Sequence, residues 1–190
     1  MKKITLLLTL IIMFLMASCA FAVDLLPGKE YFLKTPLYAE RDKDEIDWVN
    51  YSDMRVRLKA GEKLTVIEIK GHIVKFILNN KIYSFTFTQK GIAASGEIFD
   101  KYFSTENVRE EIEKNGEKIR NNIMLGKVEL GMTKEQVLLA AGCPSIAGSL
   151  KTYNLTLNDI KISDRWIFYR SRLSKWFVQF AEGKVVSVKD

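Results

Sequence analysis

The 190-residue chain carries two cysteines, one histidine and three prolines. Each scarcity removes a class of protein. Cys19 and Cys143 are the only thiols, so the disulfide framework that holds small secreted scaffolds together is excluded. With His72 as the single histidine, neither a multi-histidine zinc centre nor a His-Glu-x-x-His helix can be built. No Gly-rich phosphate loop and no Gly-x-Ser-x-Gly elbow occurs, which removes the P-loop NTPases and hydrolases of the nucleophile-elbow type. Beyond the first 22 residues, no uncharged apolar run reaches the ~20 residues of a spanning helix.

What is present starts with MKKITLLLTLIIMFLMASCAFAVD. Lys2 and Lys3 precede an apolar core from Ile4 to Met16 and an Ala-rich exit, the layout of a secretory signal. Two processing readings stay open. Ala20-Phe21-Ala22 fits the A-x-A rule and places the mature start at Val23. Met16-Ala17-Ser18-Cys19 resembles a lipobox, in which Cys19 is the site of lipid attachment. The expected location is therefore outside the cytoplasm: periplasmic or secreted, alternatively an outer-membrane lipoprotein. Removing residues 1–22 takes away two lysines and no acid, leaving 27 basic against 23 acidic residues. That surplus is far from a nucleic-acid footprint.

The region from Leu25 to about Phe99 reads as strands. MRVRLK alternates, with Met54, Val56 and Leu58 on one face and Arg55, Arg57 and Lys59 on the other. Ala60-Gly61-Glu62 turns the chain into KLTVIEIK, and Gly71-His72 turns it into IVKFIL. Asn79-Asn80 is a two-residue hairpin turn leading to KIYSFTFT, with Tyr83, Phe85 and Phe87 on one face. From Ser104 the period becomes helical, which predicts helices over 105–115 and 117–124. Thr133 and Gln136 have capping-box spacing, and Gly142 with Pro144 ends the helix between them. DRWIFYRS, KWFVQFAE and KVVSVK then read as an antiparallel meander.

Several short motifs of the second half go together. Gly126-Lys127-Val128, Gly131-Met132-Thr133-Lys134-Glu135-Gln136-Val137 and Gly142-x-Pro144 are followed by Trp166-x-x-Tyr169 and Phe180-x-x-Gly183-Lys184-Val185. Over roughly residues 117–190 this resembles the SmpA/OmlA (BamE-like) domain. The resemblance implies two helices on a three-stranded antiparallel sheet, a fold shared with β-lactamase inhibitor proteins. It also implies an envelope protein that acts as a protein-binding accessory, in the best-known case within the outer-membrane barrel-assembly machine. No partner-binding residue carries over from it. The first region is similar to bacterial SH3-like barrels, through Pro36-Leu37-Tyr38 and Leu58-x-Ala60-Gly61-x-x-Leu64-x-Val66. Such barrels bind peptides or cell-wall material. The expected fold class is thus all-β plus α+β. A signal (1–22) precedes a small SH3-like barrel (23–99), a linker helix (100–116) and the two-helix, three-stranded domain (117–190).

No catalytic, cofactor or metal constellation is expected, and neither a small-molecule substrate nor a nucleic-acid partner. Glu40 to Asp47, ERDKDEID, mixes both signs of charge and reads as a solvated loop. Cys143 reads as a buried filler rather than a reactive thiol. Aromatics carry the functional expectation. Trp48 and Tyr51, and Trp166, Tyr169, Arg170 and Trp176, are the candidate partner-binding residues; Tyr83, Phe85 and Phe87 could line the same kind of groove. Trp176 and Phe177 are adjacent and must point to opposite faces of a strand. The segment from Ser145 to Asp164 is expected to cover the reverse face. The function expected is a non-enzymatic envelope module with a protein partner. The alternative is a binder of peptidoglycan or of an anionic lipid surface through the SH3-like region.

Overall fold

The structure, a computed structural model, describes residues 24–89 and 96–190. The leader, both processing sites and Cys19 lie outside the described residues. The first region runs through β1 (Glu30–Leu33), β2 (Leu37–Glu40), β3 (Glu45–Asp47), β4 (Arg55–Leu58), β5 (Lys63–Lys70), β6 (Ile73–Leu78) and β7 (Lys81–Thr86). Helix α1 (Gly96–Phe99) and β8 (Phe103–Ser104) follow. Six of these strands form a curled half-barrel in the order β3-β7-β6-β5-β1-β8, antiparallel except at β3–β7. β2 and β4 make a separate two-stranded ribbon.

Alternation explains the half-barrel. Val74, Phe76 and Leu78 point inward, and Asn79 and Asn80 adopt left-handed φ of 51° and 62° to reverse the chain. Tyr83, Phe85 and Phe87 then face the same core: Tyr83 stacks on Phe76, Phe85 meets Tyr102 and Phe103 edge to face, and Phe87 is tilted against Phe99. They are buried and line no groove, which corrects that expectation. The predicted linker helix over 100–116 is also replaced. Lys101, Tyr102 and Phe103 are buried, β8 joins the edge of the half-barrel, and only α2 (Arg109–Glu113) is helical.

The second half contains α3 (Glu117–Leu125), α4 (Lys134–Ala141), β9 (Ile146–Ala147), β10 (Leu150–Lys151), α5 (Leu157–Ile162), β11 (Arg165–Tyr169), β12 (Lys175–Ala181) and β13 (Lys184–Lys189). The meander β11-β12-β13 is present, and β9 and β10 extend it to five strands. The capping box at Thr133 is complete: the Gln136 N–H donates to the Thr133 hydroxyl, and the Thr133 N–H donates to the Gln136 side chain. Trp166, Phe168, Val178 and Phe180 pack beneath α3, α4 and α5 in one buried cluster that runs from Leu25 to Val185.

The ribbon is where the two halves meet. Of Met54, Val56 and Leu58, which share one face of MRVRLK, only Leu58 is buried. Met54 sits at φ 56° before the strand and is 91% exposed, and Val56 is 36% exposed. The opposite face sends Arg57 into the second half. Its Nη1 donates to the Met124 carbonyl at 2.8 Å, and its Nη2 donates to the Ile123 and Ala140 carbonyls at 2.9 and 2.6 Å. Those carbonyls belong to the last turns of α3 and α4, where the negative pole of each helix lies, and the Ile123 carbonyl also accepts from the Gly126 N–H. One guanidinium thus closes two helices at once. Gly142, just past α4, has φ 90°, and a Cβ there would lie 2.6 Å from the Pro36 carbonyl oxygen. Glycine is required because the first region packs against this point.

Replacing Arg57 with methionine is expected to lower unfolding stability by about 3 kcal/mol, since several charge-assisted bonds to helix ends are lost together. Arg57→Lys should recover less than half of that, because an ammonium cannot span three carbonyls as a planar fork does. Urea denaturation of the three proteins reads the difference. Equal stability of the parent and Arg57→Met would contradict the role given to this side chain.

Candidate functional site

The loop 48–53 between β3 and β4 crosses to the second sheet and is tied at both ends. The Ser145 hydroxyl donates to the Val49 carbonyl at 2.7 Å, and the Asp53 N–H donates to the Arg170 carbonyl at 2.9 Å. Asn50, buried and left-handed at φ 57°, holds the middle. Its amide donates to the Pro36 carbonyl, and its oxygen accepts from the Tyr38 N–H at 2.8 Å. Asparagine suits the position because it tolerates that backbone conformation and offers both a donor and an acceptor.

This strap gathers five of the six candidate residues along one seam. Tyr51 meets Tyr169 edge-on at 6.2 Å, with the Arg55 guanidinium 5.5 Å from the Tyr51 ring. Trp48 packs edge-on against Tyr153 at 4.9 Å. Trp176 stacks on Phe168 at 4.5 Å with the planes 17° apart. Arg170 pairs with Asp190 at 2.7 Å. Trp166 is the exception. It is fully buried, and its indole N–H donates to the Ile160 carbonyl at 3.0 Å, so it is core and presents nothing to a partner.

Three depressions open along the seam. The largest, about 670 Å³, lies between the β3–β7 edge and the β11–β12 link, with Glu45, Asp53, Arg55, Arg170 and Arg172 in its walls. A second, about 400 Å³, has Phe168, Trp176, Val128 and Val188 as an apolar floor and Tyr169, Arg170, Lys127 and Glu129 at its rim. A third, about 270 Å³, lies between Trp48, Tyr51, Ile146 and Tyr169. Tyr38 reaches the second depression. Burial raises its phenol, and the nearby Arg57 guanidinium offsets part of that rise. The seam offers aromatic and aliphatic surface with arginines at its margin, an arrangement suited to capturing part of another protein.

The remaining candidates for chemistry are placed elsewhere. Cys143 is buried, with Thr35 Oγ1 at 3.9 Å and the Lys101 carbonyl at 3.7 Å, and burial pushes its thiol up, away from the reactive thiolate. His72 lies at the β5–β6 turn, where its carbonyl accepts from the Phe87 N–H. Among the described residues, no cluster of three or more His, Cys, Asp or Glu side chains could hold a metal ion. In the Glu40–Asp47 run, Lys43 pairs with Glu40 and Lys81 with Asp44, and Glu45–Asp47 forms a strand rather than a loop. The Ser145–Asp164 segment does not cover the reverse face of the second sheet: β9 and β10 extend its edge, and α5 lies on the Trp166 side. Comparison with family models, with curated proteins and with solved structures finds no match to the chain.

Three residues of the seam were missed by sequence reasoning. Arg57 gave no signal, since an arginine alternating with valine reads as a solvated face. Asn50 stood in an unremarked loop. Lys101 did leave a trace, as part of the charged pair Asp100-Lys101 set between the apolar residues of IFDKYF. Its side chain is fully buried, and its ammonium donates to the Thr152 carbonyl at 2.6 Å, joining the first region to the second. Burial lowers this ammonium to about 8, with the Cys143 and Asp159 side chains opposing the shift.

Because the folded value lies below the ordinary lysine value, the unfolded chain binds more protons between about pH 8 and 10.5. Lys101 therefore costs roughly 3 kcal/mol below that window, and stability rises across it. Lys101→Met is expected to be more stable than the parent at pH 7, with the advantage shrinking toward pH 10. Denaturant titrations at both pH values check this; a gap independent of pH would refute it.

Proposed function

We propose that the chain is an exported envelope protein that works without catalysis, as a protein-interaction module of an assembly-accessory kind. In this reading, the half-barrel with its ribbon is an SH3-like unit and residues 117–190 a BamE-like unit. The partner lies along the seam between them. Trp176, Tyr169 and Tyr51 anchor it, and Arg170 sets its register.

The single observation that carries the reading is the roughly 400 Å³ depression floored by the Phe168–Trp176 stack, which borders the Tyr51–Tyr169 contact. Aromatic anchors beside an arginine, with a polar rim that excludes water, are the side chains from which tight protein contacts are made. The N-terminal signal motif supports the envelope location. The capped α4 and the Gly183-Lys184 turn support the BamE-like reading, with Glu182 and Gly183 at φ 50° and 74°. Among the described residues, no helix is long and apolar enough to cross a membrane.

Photocrosslinking groups placed at Tyr169 and Trp176 in the native envelope test this. Both positions are expected to yield adducts with the same partner protein. Groups at exposed Ile162 on α5 and Ile67 on the half-barrel should not. Arg170→Ala should reduce the yield at Trp176 about tenfold, the loss of one interface hot spot. Equal yields at all four positions would rule out a seam partner.

A further inference from the structure

The strands of the five-stranded sheet carry cations and no acidic residue. Strand register and alternation place Lys151, Arg165, Lys175, Lys184 and Lys189 on its outer face, in one layer with Ile146, Ile167 and Phe177. All five cations are exposed. None of them makes an ion pair among the described residues, and no acidic side chain of these strands shares the face. Of the acids beside the strands, Asp164 is held by Lys134, Asp190 by Arg170, and Glu182 sits in the β12–β13 turn.

The half-barrel strands instead mix both signs of charge, with Glu30, Glu45, Asp47 and Glu68 among their lysines. Lys34, Lys43, Lys63, Lys75 and Lys81 are each matched with a carboxylate. Like charges gathered on one open face repel one another, so folding gives no reason for the array. Its complement is a dense negative surface.

We infer that this face docks on an anionic lipid bilayer, with the five cations over phosphate-bearing headgroups and Phe177 at the interface. Two observations select a bilayer over a linear polyanion. The cations lie on four of the five strands, from β10 at one edge to β13 at the other, spread across ~19 Å as well as along them, and mobile headgroups can gather under such a two-dimensional array. The Phe177 ring already has the Arg165 guanidinium at 5.1 Å and the Lys175 ammonium at 5.4 Å, so it is not a free platform for stacking a nucleobase. The face meets the seam at one margin, where Ile146, Lys151 and Tyr169 line the third depression, whereas Arg165, Lys175 and Lys189 line none of the three depressions and so test the inference separately from the seam reading. The inference also places lipid contact on the second sheet rather than on the SH3-like region.

The test is co-sedimentation of the purified chain with phosphatidylcholine vesicles containing about one third phosphatidylglycerol, against phosphatidylcholine alone. Binding is expected only to the anionic vesicles, and salt should weaken it steeply. Each cation contributes about fivefold to partitioning, so Arg165→Gln, Lys175→Gln and Lys189→Gln together should reduce it about a hundredfold. The triple change Lys63→Gln, Lys75→Gln and Lys81→Gln removes the same charge from paired sites and should leave binding within about twofold. Equal loss in both triple variants would mean that net charge rather than this face is responsible. Binding to neutral vesicles, no binding at all, or displacement by an equal charge of single-stranded DNA or polyglutamate would each overturn the inference.

Discussion

One guanidinium decides how the two halves of this protein are joined. Arg57 leaves a two-stranded ribbon of the first region and closes the carbonyl ends of α3 and α4 in the second. Helix ends left with bare carbonyls are unfavourable in a partly buried setting, and a cation at that pole is favourable. The surrounding residues follow from this placement. Gly142 must lack a side chain because Pro36 presses on it, Asn50 must bridge Pro36 and Tyr38, and Ser145 must reach Val49. The loop 48–53 is thereby stretched across the seam, and with it Trp48 and Tyr51 arrive beside Tyr169.

Local regularities of the fold were legible in the sequence, and contacts between distant segments were not. The Asn79-Asn80 hairpin, the Thr133 capping box and the three-strand meander each rest on chemistry within a few residues, and each is present. The half-barrel strands followed from alternation. The parallel β3–β7 pair, the added β9 and β10, and the packing of residues 101–103 depend on neighbours far along the chain. Arg57 shows the limit most clearly. Its own strand gives it a solvated pattern, and only the second half supplies the carbonyls that hold it.

The candidate site was legible to the same degree. Of the aromatics singled out in the sequence, Trp48, Tyr51, Tyr169 and Trp176 lie along the seam, each beside a loop or strand end. Sequence reasoning also selected Trp166, and it placed Tyr83, Phe85 and Phe87 in a groove, since sequence does not say which face of a strand is covered. The covering helix α5 and the β7–β8 packing settle those positions as core. The division of charge between the two sheets was likewise hidden. A net surplus is one number, whereas its concentration on one face appears only when the five strands from β10 to β13 are assembled into their sheet.

Hydrogen exchange of the native protein tests the central claim, that the Arg57 seam makes both halves one cooperative body. Amides of β6 and β12 should open with the same free energy, and Arg57→Met should lower both by the same amount. If β12 keeps its protection while β6 loses it, or the reverse, the halves fold separately and the seam is not what joins them.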